Sequence, residues 1–326
     1  MRIVQKFGGS SLADWACLRR AAGLCLEARR RGQQPILVVS AAGDSTDEMI
    51  EEVRKIHPHP PAREMDALLA TGEQRSAALM AIALTRFGAP ARSFSGWQAG
   101  LITEEKSGGA RLRAAVPGRL LETLEAGQIP VVAGFQGVTP AGDVSTLGRG
   151  GSDTTAVALA IALAAGRCEI YTDVDGIYTA DPRLLPSARL LREIDCRDML
   201  RLAEAGSQVL HPGSVRLAME KGLPLHLLSS FRAGEGSLVR RLSEAERPAL
   251  AGVTRDERRS AVTLVGRAAN EALLRALAER LEHSGIPVRD AETGEGCVTL
   301  TVAPAQLLPA LELCHRAVLE EMKNEE

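Results

Sequence analysis

Up to about residue 230, short apolar runs alternate with longer amphipathic or alanine-rich segments, and this alternation restricts the fold classes open to the chain. The short runs predict strands at residues 3–7, 35–41, 91–94, 129–135, 168–174 and 224–230. The long segments predict helices at residues 14–31, 63–87, 117–126, 152–165, 195–205 and 213–221. Several strands are apolar throughout, which is typical of parallel strands buried on both faces. We therefore predict an α/β domain with a mainly parallel sheet, helices on both faces and ligands at the carboxyl ends of the strands.

The pattern changes after this region. Residues 232–236 and 242–248 predict a turn and a linker, and the charged run 255–259 predicts a solvated connection. Beyond the linker, strands are predicted at residues 261–265, around 287–290 and at 297–302, with helices at 271–283 and 304–322. The order β-α-β-β-α indicates a small α+β domain. We therefore predict two domains, at residues 1–235 and 249–326.

Composition excludes several classes of protein. Lys and Arg total 39 against 41 Asp and Glu, and the net charge of −2 argues against nucleic acid or an anionic membrane as the main partner. The longest wholly apolar run, residues 156–165, is about half of the ~20 residues that a membrane span needs. No charged-then-apolar leader opens the chain, so we expect a cytoplasmic protein. The six cysteines form no Cys-x-x-Cys pair, so we predict free thiols and no metal site.

Glycine is concentrated between residues 134 and 151, which hold six of the 31 glycines, directly before the predicted helix 152–165. The free N–H groups at the start of that helix would face whatever the loop binds, and this suits an anion. An ordinary tight turn, with Ser152 or Asp153 capping the helix, is the alternative. Arg149 favours the anion, because a turn needs no guanidinium, whereas a carboxylate or phosphate is bound well by its two-pronged donor.

Two further turns have the same character. Lys6 lies near the end of the first strand, before Gly8, Gly9 and Ser10, and the second strand ends at small and hydroxyl residues that include Ser40 and Thr46. Three such turns on parallel strands indicate one phosphate-binding crevice. Neither a P-loop motif nor a complete dinucleotide fingerprint is present, since Asp153 replaces the last glycine of the latter.

Taken together and in order along the chain, seven motifs resemble those of the aspartate kinases, members of the amino acid kinase superfamily. They are KFGGSS (6–11), VSA (39–41), TGE (71–73), GFQG (134–137), LGRGGSDTT (147–155), YTDVDGIYTADPR (171–183) and VLHP (209–212). The resemblance implies the fold of that superfamily, a three-layer α/β/α sandwich. It also implies transfer of the ATP γ-phosphoryl group to the side-chain carboxylate of L-aspartate, giving 4-phospho-L-aspartate at the entry to lysine, threonine and methionine biosynthesis.

The resemblance also implies roles for individual residues. Lys6 would neutralise the transferring phosphoryl group with Asp153 orienting it, Arg149 would bind a substrate carboxylate, and Glu73 would pair with the substrate ammonium. The other implied substrate-binding residues are Ser40, Thr46, Phe135 and Ser152. The implied ATP-binding residues, besides Lys6, are Gly8, Gly9, Ser10, Thr172, Asp173, Tyr178, Asp181 and Arg183. Mg²⁺ would be held mainly by the nucleotide phosphates, with no protein metal site.

Two departures from this family affect the expected function. Gln208 stands before Val-Leu-His-Pro, where the family usually has a lysine near the nucleotide, so we expect weaker ATP binding or compensation by Arg183 or Arg216. Residues 249–326 resemble one ACT-like unit rather than two, which implies a homodimer and weak or absent feedback by lysine or threonine. Two other functions stay open: a kinase for another small amino acid, and a catalytically silent paralogue that regulates a partner.

Overall fold

The computed structural model describes residues 1–325, which form two compact units. The first unit comprises Met1–Asp175 and Glu220–Glu235, and the second comprises Gly176–Met219 and the chain from Gly236 onward. The strands are β1 (Arg2–Phe7), β2 (Gln34–Val39), β3 (Ala91–Phe94), β4 (Leu101–Thr103), β5 (Leu112–Ala115), β6 (Ile129–Ala133), β7 (Gln136–Val138), β8 (Val144–Thr146), β9 (Cys168–Thr172), β10 (Ile177–Tyr178), β11 (Leu190–Leu191), β12 (Glu193–Asp195), β13 (Leu225–Ser229), β14 (Ser237–Arg240), β15 (Gly252–Asp256), β16 (Ala261–Val265), β17 (Asp290–Gly294) and β18 (Cys297–Thr301). The helices are α1 (Trp15–Arg30), α2 (Ser45–Ile56), α3 (Ala62–Arg86), α4 (Gly118–Glu125), α5 (Gly151–Ala162), α6 (Cys196–Glu204), α7 (Pro212–Lys221), α8 (Glu271–His283) and α9 (Leu307–Glu325).

A parallel sheet organises the first unit, with the strand order β13-β9-β1-β2-β6-β3. The whole of β6 is buried, as are five of the six residues of β2, which explains their unbroken apolar sequence. Lys6 of β1 lies level with Val38 on one side and Ile170 on the other, so β1 is central and the carboxyl ends of its neighbours meet beside it. The predicted mainly parallel sheet is confirmed.

One face of this sheet packs against α1 and α3. Small residues such as Ala21, Ala22 and Ala77 are buried there and allow the helices to approach the strands closely. The rings of Phe7 and Tyr171 stack across neighbouring strands with centroids 4.8 Å apart. A second, smaller sheet with the order β5-β4-β7-β8 was not predicted from the sequence. It matters for the site because β8 leads into the turn that carries Arg149.

The second unit contains an antiparallel sheet with the order β15-β16-β18-β17, with α8 and α9 packed against it. The predicted strand at 261–265 is β16, and the small C-terminal α+β unit is confirmed. The prediction of a solvated connection at 255–259 was wrong at its start, because Arg255 and Asp256 belong to β15 and pair with Val262 and Ala261. This antiparallel sheet therefore has four strands, one more than the predicted order.

The predicted linker at residues 242–248 is held tightly within the second unit. The Leu242 N–H donates to Asp195 Oδ2 at 2.8 Å, and the Arg247 guanidinium donates to Asp198 at 2.7 Å. Both carboxylates are fully buried near the start of α6. The compact units divide the chain at other positions than the predicted domains, and the boundaries 1–235 and 249–326 stay a prediction. Within residues 1–325, the helices include none with the length and apolar character needed to cross a membrane.

Candidate active site

Lys6 and Asp153 meet at the carboxyl edge of the parallel sheet. Lys6 Nζ lies 2.7 Å from Asp153 Oδ1, and the two side chains are 13% and 14% exposed. Lys6 lies near the end of β1, and Asp153 lies in the first turn of α5. Because the pair is mostly removed from water, its Coulombic interaction is stronger than that of a surface ion pair. The structure thus brings together two of the three predicted catalytic residues.

Glycine turns surround this pair and touch one another through their backbones. The Gly8 N–H donates to Tyr171 O at 3.2 Å, and the Gly43 N–H donates to Gly9 O at 2.9 Å. A Cβ atom on Gly9 would lie only 2.8 Å from Ala41 O, so a larger residue there would push apart the turns after β1 and β2. Ser10 follows as an exposed residue at the start of a short 3₁₀ turn. The predicted convergence of strand-end turns is therefore present in the fold.

The third turn leads into α5. Gly150 precedes the helix with a left-handed φ of 68°, and no side chain caps the helix, so neither Ser152 nor Asp153 acts as the N-cap that the alternative interpretation required. A Cβ atom on Gly134 would lie 2.8 Å from Ser152 Oγ, which shows how closely the residue after β6 approaches this helix. Phe135 also has a positive φ of 68°, and its N–H donates to Thr155 Oγ1 at 3.2 Å.

Arg149 is exposed in the same turn. It follows Gly148, whose φ is 71°, and its side chain forms no ion pair or hydrogen bond with any residue of the part of the chain that the structure describes. The position of the Arg149 side chain is therefore constrained only by the backbone of the turn. A free guanidinium in the turn before Asp153 can bind a carboxylate or phosphate through two parallel N–H donors.

Glu73 is a buried acid with an incomplete set of partners. It lies in α3 and is 4% exposed; Oε1 accepts a hydrogen bond from the Ala41 N–H at 3.1 Å. Its other oxygen, Oε2, is buried and accepts no hydrogen bond from residues 1–325. Burial raises the pKa of Glu73 from 4.5 to about 7, and the Ala41 N–H opposes this rise. A buried carboxylate oxygen without a donor is well suited to a cationic ligand.

The predicted hydroxyl groups lie next to these residues in the chain. Ser40 and Thr46 are half-buried, at the end of β2 and in the first turn of α2. Thr172 ends β9, and its Oγ1 donates to Asp173 Oδ1 at 3.0 Å. The Thr172 carbonyl accepts two hydrogen bonds from Ser230, whose hydroxyl lies 2.7 Å from Ser11 Oγ in the turn after β1. Hydrogen bonds therefore link the turns after β9 and β1.

The remaining predicted nucleotide-binding residues belong to the second unit. Tyr178 is half-buried in β10, and Asp181 accepts hydrogen bonds from the backbone and guanidinium of Arg183. The Arg183 guanidinium is the main cause that lowers the pKa of Asp181. Gln208 is exposed, and Arg216 is hydrogen-bonded to Glu204. Both arginines that could compensate for Gln208 are thus engaged by acids.

Two buried residues near the site were missed. Asp66 of α3 is 1% exposed and accepts hydrogen bonds from Thr146 Oγ1 at 2.6 Å and the Gly108 N–H at 2.9 Å. Gln136 of β7 donates to Ala70 O at 2.8 Å. A lone acid or amide carries little sequence signal, although Asp66 and Glu73, seven positions apart, share one face of the predicted helix. Among the described residues, no group of three His, Cys, Asp or Glu side chains is placed to hold a metal ion.

Residues 1–229 match the model of the amino acid kinase family. The parallel sheet, the glycine turns and the lysine–aspartate pair at its carboxyl edge all lie within the matched residues. The fold and the site therefore define a protein of the amino acid kinase class. The motif resemblance to the superfamily is confirmed by this match.

The relatives narrow the class. The aspartokinase of Mycolicibacterium smegmatis is 48% identical over 268 residues, which are 81% of this chain and 64% of that protein. An aspartokinase of Thermus thermophilus is 42% identical over 286 residues, 88% of this chain and 71% of that protein. The crystal structure of Escherichia coli aspartokinase III in complex with aspartate and ADP matches with a TM-score of 0.70 at 26% identity, over 96% of this chain and 84% of that one. The chain therefore belongs to the amino acid kinase family and, within it, to the aspartokinases. It spans 64% of the length of the M. smegmatis relative.

Proposed function

We propose that this protein transfers the γ-phosphoryl group of ATP to the side-chain carboxylate of L-aspartate and forms 4-phospho-L-aspartate. The E. coli relative was crystallised with aspartate and ADP, the substrate and the nucleotide product of this reaction. The observation that carries the proposal is the unpaired Oε2 of buried Glu73. An amino-acid ammonium supplies the missing hydrogen-bond donor and compensates the buried negative charge. A phosphate, or a dicarboxylate without an ammonium, would leave Oε2 without a donor and the charge without a counterion.

The other groups fit the anionic part of this chemistry. Lys6 supplies a cation at the sheet edge, and Asp153, its partner, lies in the first turn of α5, whose N-terminus no side chain caps. Phosphoryl transfer needs little from a protein beyond in-line placement and neutralisation of charge on the transferring group. We assign the neutralisation to Lys6, held by Asp153, with the turn at Gly8 and Gly9 enclosing the phosphates. Mg²⁺, carried on the ATP phosphates, would supply additional neutralisation.

Arg149 and Glu73 would determine the orientation in which an amino acid binds. Arg149 would bind the substrate α-carboxylate and Glu73 the ammonium, so the side-chain carboxylate would point toward Lys6. Ser40, Thr46 and Ser152 would donate hydrogen bonds to substrate oxygens, and Phe135 would border the substrate. Thr172, Asp173, Tyr178, Asp181 and Arg183 would hold the nucleotide, together with Ser10.

A substrate panel tests the proposal. ADP release is measured with L-aspartate, L-glutamate and succinate, the last of which has both carboxylates of aspartate but no ammonium. We expect turnover with L-aspartate and a loss of at least about 100-fold in kcat/KM with succinate, because the buried Glu73 charge is then unpaired. Comparable rates with succinate would contradict the assigned role of Glu73. Nucleotide binding without turnover of any acid would favour a regulatory paralogue, and turnover of L-glutamate alone would favour another amino acid kinase.

We further propose a cytoplasmic homodimer in which residues 249–326, as an ACT-like unit, pair through their sheets. The edge strand β17 is exposed along its whole length and offers free backbone groups to a partner strand. Sedimentation velocity of the full chain tests this assembly. A monomer at all concentrations would refute it without affecting the proposed reaction.

A further inference from the structure

Asp66 connects three segments that the proposed reaction requires. It lies in α3, seven residues before Glu73 and on the same face of that helix. Its Oδ1 accepts from Thr146 Oγ1, and its Oδ2 accepts from the Gly108 N–H. One buried carboxylate thus joins the helix that carries Glu73 to the end of β8 and to the loop between β4 and β5.

The β8 end leads directly to Arg149. Thr146 is the last residue of β8, and its carbonyl accepts a hydrogen bond from the Ala110 N–H at 2.8 Å. The two loops touch closely, since a Cβ atom on Gly148 would lie 3.4 Å from the Gly109 Cα. Gly148 and Gly109 both have left-handed φ values, so the contact favours glycine on each side.

Arg149 itself has no side-chain partner within residues 1–325, so nothing except its backbone positions it. The turn that carries this backbone begins at Thr146 and packs against the loop that contains Gly108. Asp66 accepts a hydrogen bond from both of these residues and so holds the turn and the loop in place. The charge of Asp66 serves this purpose because hydrogen bonds to an ionised acceptor are roughly twice as strong as neutral ones. Among the described residues, no other acid accepts a hydrogen bond from the Thr146 hydroxyl or the Gly108 N–H.

We propose that Asp66 is a positioning residue that sets the distance between Arg149 and Glu73, and so tunes the site to the spacing between an α-carboxylate and an α-ammonium. The inference rests on the proposed function. Loss of the Asp66–Thr146 hydrogen bond should therefore weaken binding of the amino acid and leave binding of ATP nearly unchanged.

The test uses the full chain with Thr146→Val, which removes the hydroxyl and keeps the side-chain volume, and Thr146→Ser, which keeps the hydroxyl. We expect Thr146→Val to raise the KM for L-aspartate about 10-fold and the KM for ATP less than about 2-fold, because a charge-assisted hydrogen bond is lost. Thr146→Ser should restore the KM for L-aspartate. Thr123→Val is the matched control, because this buried threonine donates to Arg119 O within α4, away from the Asp66 hydrogen bonds.

A second comparison separates positioning from general destabilisation. In an Arg149→Lys background, where the two-pronged donor is already lost, Thr146→Val should change the KM for L-aspartate by less than about 2-fold. If Thr146→Val does not fold, Asp66→Asn provides a second test of the same residue: it keeps an acceptor for Thr146 but removes the charge and the acceptor for the Gly108 N–H, and the same rise in the KM for L-aspartate alone is expected. An equal rise in both KM values, or an undiminished effect in the Arg149→Lys background, would overturn the inference. A wild-type chain that phosphorylates no amino acid would refute the proposed function as well, whereas wild-type turnover without the KM split refutes only the role of Asp66.

Discussion

Replacing Glu73 by Gln is expected to lower activity and to increase the stability of the fold. The glutamine keeps an oxygen that accepts from the Ala41 N–H, but it removes the negative charge at the buried position that Oε2 occupies. An amide cannot form an ion pair with a substrate ammonium. Catalytic efficiency with L-aspartate should therefore fall while the isolated protein becomes more stable at alkaline pH.

The pKa of Glu73 sets the size and the pH range of both effects. It is raised by burial from 4.5 to about 7, so the folded protein binds this proton more tightly than the unfolded chain does. The stabilisation from the protonated acid is complete below pH 4.5 and is lost as the pH rises through about 7. At pH 8 the ionised, buried group destabilises the fold by up to about 3 kcal/mol. Glu73→Gln removes this cost and should raise the melting temperature by several degrees at pH 8, and by much less at pH 5.

Ionisation of Glu73, which lowers stability as the pH rises, should raise activity over the same pH range. Because kcat/KM reports groups of the free enzyme, kcat/KM for L-aspartate should fall about 10-fold for each pH unit below 7. In Glu73→Gln, kcat/KM should be about 100-fold lower at pH 8 and should lose this dependence. The assays are a pH profile of ADP release and thermal melts followed by circular dichroism. Glu64→Gln is the matched control, since Glu64 is exposed in the first turn of the same helix.

Two results would refute this reasoning. An acidic limb near pH 7 that persists in Glu73→Gln would show that another group titrates there. A variant less stable than the wild type at pH 8 would show that the buried carboxylate already has a partner in the free protein.

Three further predictions concern the nucleotide side of the site. Lys6→Ala should lower kcat about 10²–10³-fold because charge on the transferring phosphoryl group is left without its cation, and single-turnover kinetics will show whether the phosphoryl-transfer step itself is slowed. Gly9→Ala should destabilise the chain by about 1–3 kcal/mol in urea titrations, because its Cβ would lie 2.8 Å from Ala41 O, whereas Gly23→Ala on α1, with open space around it, should not. Gln208→Lys should lower the KM for ATP, because Arg183 and Arg216, which could replace the missing ammonium, are paired with Asp181 and Glu204. An unchanged KM for ATP would show that no ammonium is needed at this position.

The elements that the sequence predicted well are those with a buried face or two buried faces. The predicted strand 3–7 and helix 63–87 differ from β1 and α3 by only one residue at any end. Helix α2 was missed because half of its twelve residues are charged and none is fully buried, so its apolar pattern is weak. Strand β15 was missed because Arg255 and Asp256 belong to a charged run, and only pairing with β16 makes them a strand. The short strands β4, β5, β7 and β8 have three or four residues each, too few for a period to show.

For the site, motif spacing placed Lys6, Asp153, Arg149 and Glu73 at the strand-end turns and the helices beside them, and the structure adds their partners. Sequence alone could not show that Glu73 Oε2 lacks a donor, because this depends on how α3 packs against the turn after β2. Asp66 could not be found either, since its two donors, Gly108 and Thr146, are 42 and 80 residues away in the chain.

The most direct test of the central claim is hydroxylamine trapping of the acyl phosphate, with the wild-type chain and Lys6→Ala assayed side by side in Mg-ATP and L-aspartate. The expected result is aspartyl hydroxamate from the wild type, with its rate reduced by at least about 100-fold in Lys6→Ala. No hydroxamate from the wild type under conditions where ATP is bound, or equal amounts from both proteins, would contradict the assignment of phosphoryl transfer to this site.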